Sequence, residues 1–463
     1  MILRELDVPA SVLRQLAASR PERYPVLFDS AADGPLSRTS VLAACPTGAL
    51  WLDADGQLHA EGTAPREATG SFLTALERWI ASEPATGRTE LPFAGGWAVF
   101  LGYELAAEIE PRLILPRAPD SLAWQAFALR IPCALIHDRI SERVRAIAEE
   151  GAAEALAAIE SDVRELTRAG SSRPGPLPPP AVAAMVEEDP AAYLERVRRG
   201  KEYIRAGDIY QTNLSRRWRV ELRGAPDVGQ LYERLRAVNP APFAALAQWR
   251  GGTVLSSSPE RLVRVAGRHA ETRPIAGTRP RSRLPGKDAL EMAALVAHPK
   301  ERAEHIMLID LERNDLGRVC QAGTVRVEEL MSIESYTHVH HIVSNVTGTL
   351  RQDVTLVDTL RAVFPGGTIT GCPKYRCMEI IAELEGEGRG AYTGSLGLLG
   401  RDGRMDFNIL IRTMTLAGRM LEFRAGAGIV ADSDPERELE ECRAKARGLL
   451  AAFGAPSREG AAA

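Results

Sequence analysis

Apolar and polar positions alternate along this chain in two rhythms. After Pro190, the apolar side chains Tyr193, Val197 and Ile204 recur at roughly helical spacing, which predicts a helix ending at Gly207. Two further helices are predicted by their starts. One begins at Pro299 and runs to about Leu311, with proline at a first helical position; the other begins at Pro435, behind the capping side chains of Asp432, Ser433 and Asp434. Between Thr393 and Ala425 the pattern changes to strand-like runs rich in Ile, Leu, Phe and Thr. The turns Gly400–Gly403 and Leu416–Arg419 divide these runs into three strands. Long strands, hairpins and helices mixed in this way predict an α+β fold with large sheets.

One tract breaks the pattern. AGSSRPGPLPPP (169–180) follows an Ala- and Glu-rich helical stretch, 149–168, and reads as a semi-rigid connector. It separates a first region, 1–168, from a second, 190–455, with 169–189 as linker. The tail SREGAAA is expected to fray.

Composition narrows the class. The chain has 463 residues, of which 45% are hydrophobic and 25% charged, so it can bury a sizeable core. Its net charge of −4 argues against a nucleic-acid partner, whose binding face would be basic. The six cysteines form no C-x-x-C pair, which disfavours a zinc module or disulfide framework. No secretory signal or membrane-length apolar run is present, so a reduced cytoplasmic setting is the expectation.

Several residue groups could carry chemistry. Glu301 and Glu304 stand three apart on one helix, and Glu438 and Glu441 repeat that spacing on the last. Four converging carboxylates would suit Mg2+; the alternative is two solvated faces, with Glu441 paired to Lys445. The turns FPGGTITGCPK (364–374) and AGAGIVADS (425–433) could present backbone amides to an anion, or could be plain turns. Arg412 lies in an apolar run read as a strand, where a guanidinium needs either a ligand carboxylate or a structural acid. His338, His340 and His341 lack metal-ligand spacing; alternation puts His341 on the opposite strand face from the other two. Glu260, at a turn after Ser256–Pro259, could be a general acid if burial raised its pKa, or a surface residue.

The order of these segments resembles that of the chorismate-utilising enzymes. The matching stretches are GDIYQTNLSRRW (207–218), SSSPERLV (256–263), ETRPIAGTRPR (271–281), KERAEHIMLIDLERNDLGRV (300–319), SYTHVHHIVSNVTGTL (335–350), FPGGTITGCPKYRCMEIIAELE (364–385) and GAGIVADSDPERELEE (426–441). VLFDSA (26–31) and GGWAVFLGYELA (95–106) agree more loosely. The resemblance implies two large β-sheets packed as a sandwich with helices outside, the two regions intertwined. It implies Mg2+ at Glu304 and Glu441, supported by Glu301 and Glu438. It implies chorismate held through its pyruvyl carboxylate by Tyr392, Arg412 and the amides near Gly426 and Gly428, with Thr278 and Ala276 alongside. Glu260 matches the acid that protonates the leaving hydroxyl, His341 the histidine near the ring carboxylate, and Lys374 the lysine of the G-x-P-K segment.

The nucleophile distinguishes family members. Water-using relatives place a basic lysine where this chain has Gln211, so ammonia is the implied nucleophile, supplied by a separate glutamine amidotransferase. YQTNLS, FPGGTITG and VLFDSA resemble aminodeoxychorismate synthase component I, the product implied being 4-amino-4-deoxychorismate for p-aminobenzoate and folate. Ala276 instead resembles anthranilate synthase component I, because the best-known aminodeoxychorismate synthases carry a ring-attacking lysine there. VLFDSA also resembles a segment that binds tryptophan in relatives, near Ser30. A non-catalytic scaffold subunit is the remaining alternative.

Overall fold

Alternation at period two, with apolar side chains on both faces of most strands, builds the centre of this protein. In the computed structural model, Leu42, Cys133 and Leu135 point to one side of their sheet, and Val41, Ala43, Ala134 and Ile136 to the other. A strand buried on both faces must be nearly continuous in apolar residues, as TSVLAA (39–44) and CALIHD (133–138) are. The structure describes residues 1–65, 69–118, 122–168, 177–281, 284–297, 299–335 and 339–454. For Ala276, Thr278, Arg279, Pro280, Pro285, Val296, Pro299, Lys300, Glu301 and Val339 it describes the backbone alone.

Two antiparallel sheets, of 12 and 11 strands among the described residues, pack face to face. The first runs in the order Ile2–Leu6, Arg143–Ala148, Cys133–Asp138, Thr39–Ala44, Val26–Asp29, Phe243–Trp249, Gly252–Ser258, Thr413–Ala417, Met420–Ile429, Gln211–Leu222 and Val182–Glu187. The second runs Ile275–Pro280, Val339–Thr349, His269–Thr272, Arg261–Ala266, Met405–Asn408, Ser395–Gly400, Gly96–Leu101, Trp124–Ile131, Gly48–Asp53 and Leu58–Gly62. Off these paths, Gly371–Cys372 pairs with Gln211–Leu222 in the first sheet and Arg326–Ser335 with Val339–Thr349 in the second. Each sheet therefore takes strands from both ends of the chain. The register Ser395↔Leu101 to Gly400↔Gly96 joins them in one sheet, and Ala244↔Asp29 to Ala247↔Val26 in the other.

Three apolar layers follow from this stacking. Phe100, Phe127, Leu129, Ala245, Val254 and Leu396 fill the space between the sheets. Tyr193, Trp218, Cys442 and Leu449 bury the outer face of the first sheet beneath helices, and Leu76, Trp79, Val363 and Phe407 do so for the second. This is the expected sandwich surrounded by helices.

Local structure departs from the sequence reading in four places. The helix from Pro299 continues to Gly317, because Leu316, beyond the expected end, joins Ile309 in the second sheet's outer core. Within the expected linker, Val182–Glu187 is an edge strand paired to Gln211–Leu222. The 393–425 segment forms four strands rather than three. The extra break falls at 409–412, so Arg412 does not lie within a strand: it adopts a left-handed backbone, φ +51°, between Met405–Asn408 and Thr413–Ala417. A non-glycine residue pays strain in that region, and the geometry turns its side chain out of the ladder. The helices at 190 and 435 form as expected, capped by Asp189 and Asp434 and, at the first one's end, by left-handed Gly207.

Candidate functional site

The chain leaves the Gly252–Ser258 strand through Pro259 and places Glu260 inside the protein, 5% exposed. Its carboxylate accepts one side-chain hydrogen bond, from Thr368 Oγ1 at 2.8 Å. Burial pushes its pKa up to about 7, against the Thr368 hydroxyl, the Ile275 amide and the charges of Arg412 and Lys445. The surface alternative for Glu260 is therefore excluded.

Arg412 faces it across the same space. No hydrogen bond or ion pair holds the guanidinium among the described residues, and burial lowers its pKa while Glu260 opposes that. The residue is half-buried, so its guanidinium reaches open space, and a ligand carboxylate is its natural complement.

His341, 2% exposed, lies on the Val339–Thr349 strand, opposite Thr278 in register. Its Nδ1 donates to the Gly277 carbonyl at 3.4 Å, which leaves the lone pair on Nε2. Burial pushes its pKa down to about 3, helped by Arg412, His340 and Lys445, so the ring is neutral at physiological pH. His340 points the other way, to Asp288 at 3.0 Å and Ser335 at 2.7 Å. His338 lies outside the described residues, as do the side chains of Glu301, Ala276 and Thr278.

The floor is the end of the Met420–Ile429 strand. A Cβ on Gly426 would lie 2.7 Å from Tyr392 Oη and 2.8 Å from Asn213 Oδ1; one on Gly428 would lie 2.5 Å from Gln211 Nε2 and 3.2 Å from Glu304 Oε1. Both positions therefore require glycine for close approach. Gln211 Nε2 donates to Glu304 Oε1 at 3.4 Å. Burial raises the Tyr392 hydroxyl to about 12.

The two acidic helices flank this one strand end. Glu304 reaches it at Gly428. On the helix Pro435–Ala451, Lys445 bonds the Gly426 carbonyl at 3.0 Å and Glu441 at 2.8 Å. The i,i+4 pairing of Glu441 with Lys445 that stood as the alternative is thus present. Glu438 is 7% exposed, and its charge and that of Glu441 are both felt at Tyr193. Among the described residues no three His, Cys, Asp or Glu side chains cluster as a metal set. Glu304, beside Gly428, and Glu441, paired to the Lys445 that bonds Gly426, offer carboxylate oxygens, which is the chemistry a hard cation takes.

Lys445 is a site residue that the sequence reading passed over. It borders open space, 43% exposed, yet its charge is felt at Glu260, His341 and Tyr392. The space it borders is therefore the one they enclose. Burial pulls its ammonium down, but Glu441 more than offsets this and holds it at about 12. Its spacing from Glu441 was the available signal.

Lys374 is placed differently. Its ammonium bonds Asp315 at 2.6 Å and the Val363 carbonyl at 3.0 Å. Asp315 belongs to a second buried acid pair with Glu312, whose pKa burial and the charge of Asp315 push up to about 8. The cavity beside Ser30 holds 30 Å3, room for a water but not an indole; Asp29 there bonds Arg236 at 2.9 Å. No helix among the described residues is long and apolar enough to cross a membrane.

One strand end of this two-sheet sandwich thus brings together a guanidinium with no ion pair among the described residues, a proton-holding carboxyl and glutamates. Residues 35–451 match the family model of the chorismate binding enzymes, and the chain belongs to that family. It is 44% identical over 407 residues to anthranilate synthase component 1 of Streptomyces coelicolor, covering 84% of this chain and 78% of that one. It is 41% identical over 385 residues to aminodeoxychorismate synthase component 1 of Bacillus subtilis, covering 81% of each. The crystal structure of anthranilate synthase component I from Streptococcus pneumoniae superposes with a TM-score of 0.76 at 30% identity, covering 89% of this chain and 92% of that one.

Proposed function

We propose that this protein aminates chorismate to 4-amino-4-deoxychorismate, with ammonia drawn from a separate glutamine amidotransferase subunit. The observation that carries the amination reading is Glu260: a carboxyl that keeps its proton to about pH 7, beside a guanidinium with no ion pair among the described residues. The pyruvyl carboxylate would take Arg412 as its charge partner and the Tyr392 hydroxyl as a further donor. Glu260 would then give its proton to the C4 oxygen as that bond breaks, which a carboxylate of ordinary pKa could not do at neutrality. Neutral His341 would accept or donate a hydrogen bond without adding charge near the ring. Gln211 cannot deprotonate water, whereas ammonia brings its own lone pair. Glu304 and Glu441, with Glu301 and Glu438 in support, would hold a Mg2+ whose chemistry is Lewis-acid polarisation of the ring carboxylate. Lys374 would act through Asp315, whose charge it stabilises against burial.

The choice of product rests on the YQTNLS and FPGGTITG segments and on the likeness to the Bacillus subtilis protein. Formation of anthranilate with loss of pyruvate is the second reading. It is favoured by the likeness to the Streptomyces coelicolor protein and by Ala276, which offers no nucleophile to attack the ring. Incubating the purified chain with chorismate, ammonium and Mg2+ separates the two. Fluorescent anthranilate released directly supports the second reading. p-Aminobenzoate formed only after a downstream lyase is added supports the first. Chorismate left unconsumed overturns both.

A further inference from the structure

The chain crosses between the two sheets at neighbouring points. Cys45, Pro46 and Thr47 carry it from Thr39–Ala44 in the first sheet to Gly48–Asp53 in the second, and Pro132 carries it back from Trp124–Ile131 to Cys133–Asp138. The register pairs Ala44 with Cys133, so Cys45 is one residue beyond the partner of Cys133. Ala44 and Cys133 share the outer core, and alternation would send Cys45 the other way, to the layer that holds Ala43. Its backbone is left-handed instead, φ +56°, a conformation that costs a non-glycine residue energy. The Cys45 amide, bonded to the Arg23 carbonyl at 2.7 Å, holds that turn. The side chain therefore packs against the outer core, where Cys133 lies, and the two free thiols hydrogen-bond to each other.

The two sulfurs differ in access. Cys133 is buried, whereas Cys45 is half-buried and lines a cavity of about 860 Å3 together with Arg20, Arg23, Thr47 and Asp162. They differ in acidity as well. The hydrogen bond from Cys133 and the charge of Arg23 hold the Cys45 thiol below its ordinary pKa, against burial and Asp162. That same hydrogen bond, with burial, pushes Cys133 up. Burial also raises Cys320, Cys372, Cys377 and Cys442, so Cys45 alone of the six is favoured as thiolate, the form that attacks. We infer that Cys45 and Cys133 are a reversible dithiol–disulfide pair that reacts with peroxide, Cys45 as the attacking sulfur and Cys133 as the resolving one. The Cys45 sulfur attacks one peroxide oxygen as the O–O bond breaks, giving a sulfenic acid and one water. The Cys133 sulfur then attacks the sulfenic sulfur; the S–S bond forms, and the hydroxyl leaves with the Cys133 proton as a second water. Two thiols are oxidised by two electrons in all, and one peroxide is reduced to two waters. A dithiol reductant reverses the bond by exchange. The disulfide ties the two passages between the sheets to each other.

The experiment treats the native chain with hydrogen peroxide, blocks the remaining thiols, and maps its peptides by mass spectrometry without reduction. Wild type is expected to lose two of its six thiols and about 2 Da of mass, to yield a linked Cys45–Cys133 peptide, and to regain both thiols with dithiothreitol. Cys45 should be oxidised about tenfold faster than Cys372, the other half-buried cysteine. Cys133→Ser removes the resolving sulfur, so Cys45 is expected to stop at the sulfenic acid and be captured by dimedone. Cys45→Ser is expected to leave Cys133 a thiol at the same peroxide dose. A wild-type Cys45 that stays a thiol while Cys372 is oxidised overturns the inference. So does a Cys45 that gains oxygen without the Cys133 link, or one that links to another cysteine. The wild-type map alone decides the matter if either serine variant fails to fold.

Discussion

Two sets of charged side chains near Tyr392 are built on opposite plans. Behind Tyr392, Glu385 accepts hydrogen bonds from the Ser215 amide at 2.8 Å and hydroxyl at 2.9 Å, from Arg389 at 2.7 and 3.0 Å, and from Arg424 at 3.4 Å. Although burial alone would raise its pKa, those arginines hold it below the ordinary carboxylate range. The guanidinium of Arg389 also stacks 5.6 Å from the Tyr392 ring and 5.1 Å from that of Tyr103. In front of Tyr392 the same residue types are left unmatched: Glu260 has one hydroxyl donor to its side chain, and Arg412 has no ion pair among the described residues. A matched buried charge fixes the fold. An unmatched one is a cost the fold bears for a ligand.

Mutations should separate the two sets. The largest effect is expected at Glu260→Gln, which keeps the shape but removes the transferable proton. Its kcat should fall about 100- to 10,000-fold with chorismate binding retained, as steady-state kinetics and calorimetry would read. Glu385→Ala should do the reverse: it strands Arg389 and Arg424 without their anion and should cost about 3–5 kcal/mol in urea unfolding. A stable Glu385→Ala protein would erase the contrast drawn here.

A smaller effect distinguishes the two carboxylates by pH. The Glu260 pKa is raised on folding, so its contribution favours the native state at low pH and is lost as pH rises from about 4.5 through about 7. Glu260→Gln should therefore be more stable than wild type at pH 8, by up to about 3 kcal/mol, and no more stable at pH 4. The Glu385 pKa is lowered, so its stabilisation is present above the ordinary carboxylate range and is lost as pH falls below it. A pH series of unfolding midpoints reads both signs. Equal stability of Glu260→Gln and wild type at pH 8 would mean that Glu260 is not held in a proton-retaining environment.

Much of this was legible in the sequence because local signals and segment order agreed. The capped helices at 190 and 435 and the Glu260 turn carried their own punctuation. Other features depended on contacts between distant segments. Arg412 sat in an apolar run that looks like continuous strand, and only the left-handed kink at that residue shows that its side chain is freed from the ladder. Lys374 has the same neighbours in sequence whether it faces a substrate or Asp315, 59 residues away, and spacing cannot choose. Lys445 was visible only as the partner of Glu441.

Most depends on whether the guanidinium of Arg412, which has no ion pair among the described residues, is there to meet a substrate carboxylate. Titrating chorismate into wild type and Arg412→Met by isothermal calorimetry tests it directly. Binding is expected to weaken about 10- to 100-fold in a variant whose unfolding midpoint does not fall, since a half-buried guanidinium with no ion pair among the described residues adds little to the fold. Unchanged chorismate affinity in a folded Arg412→Met protein would contradict it.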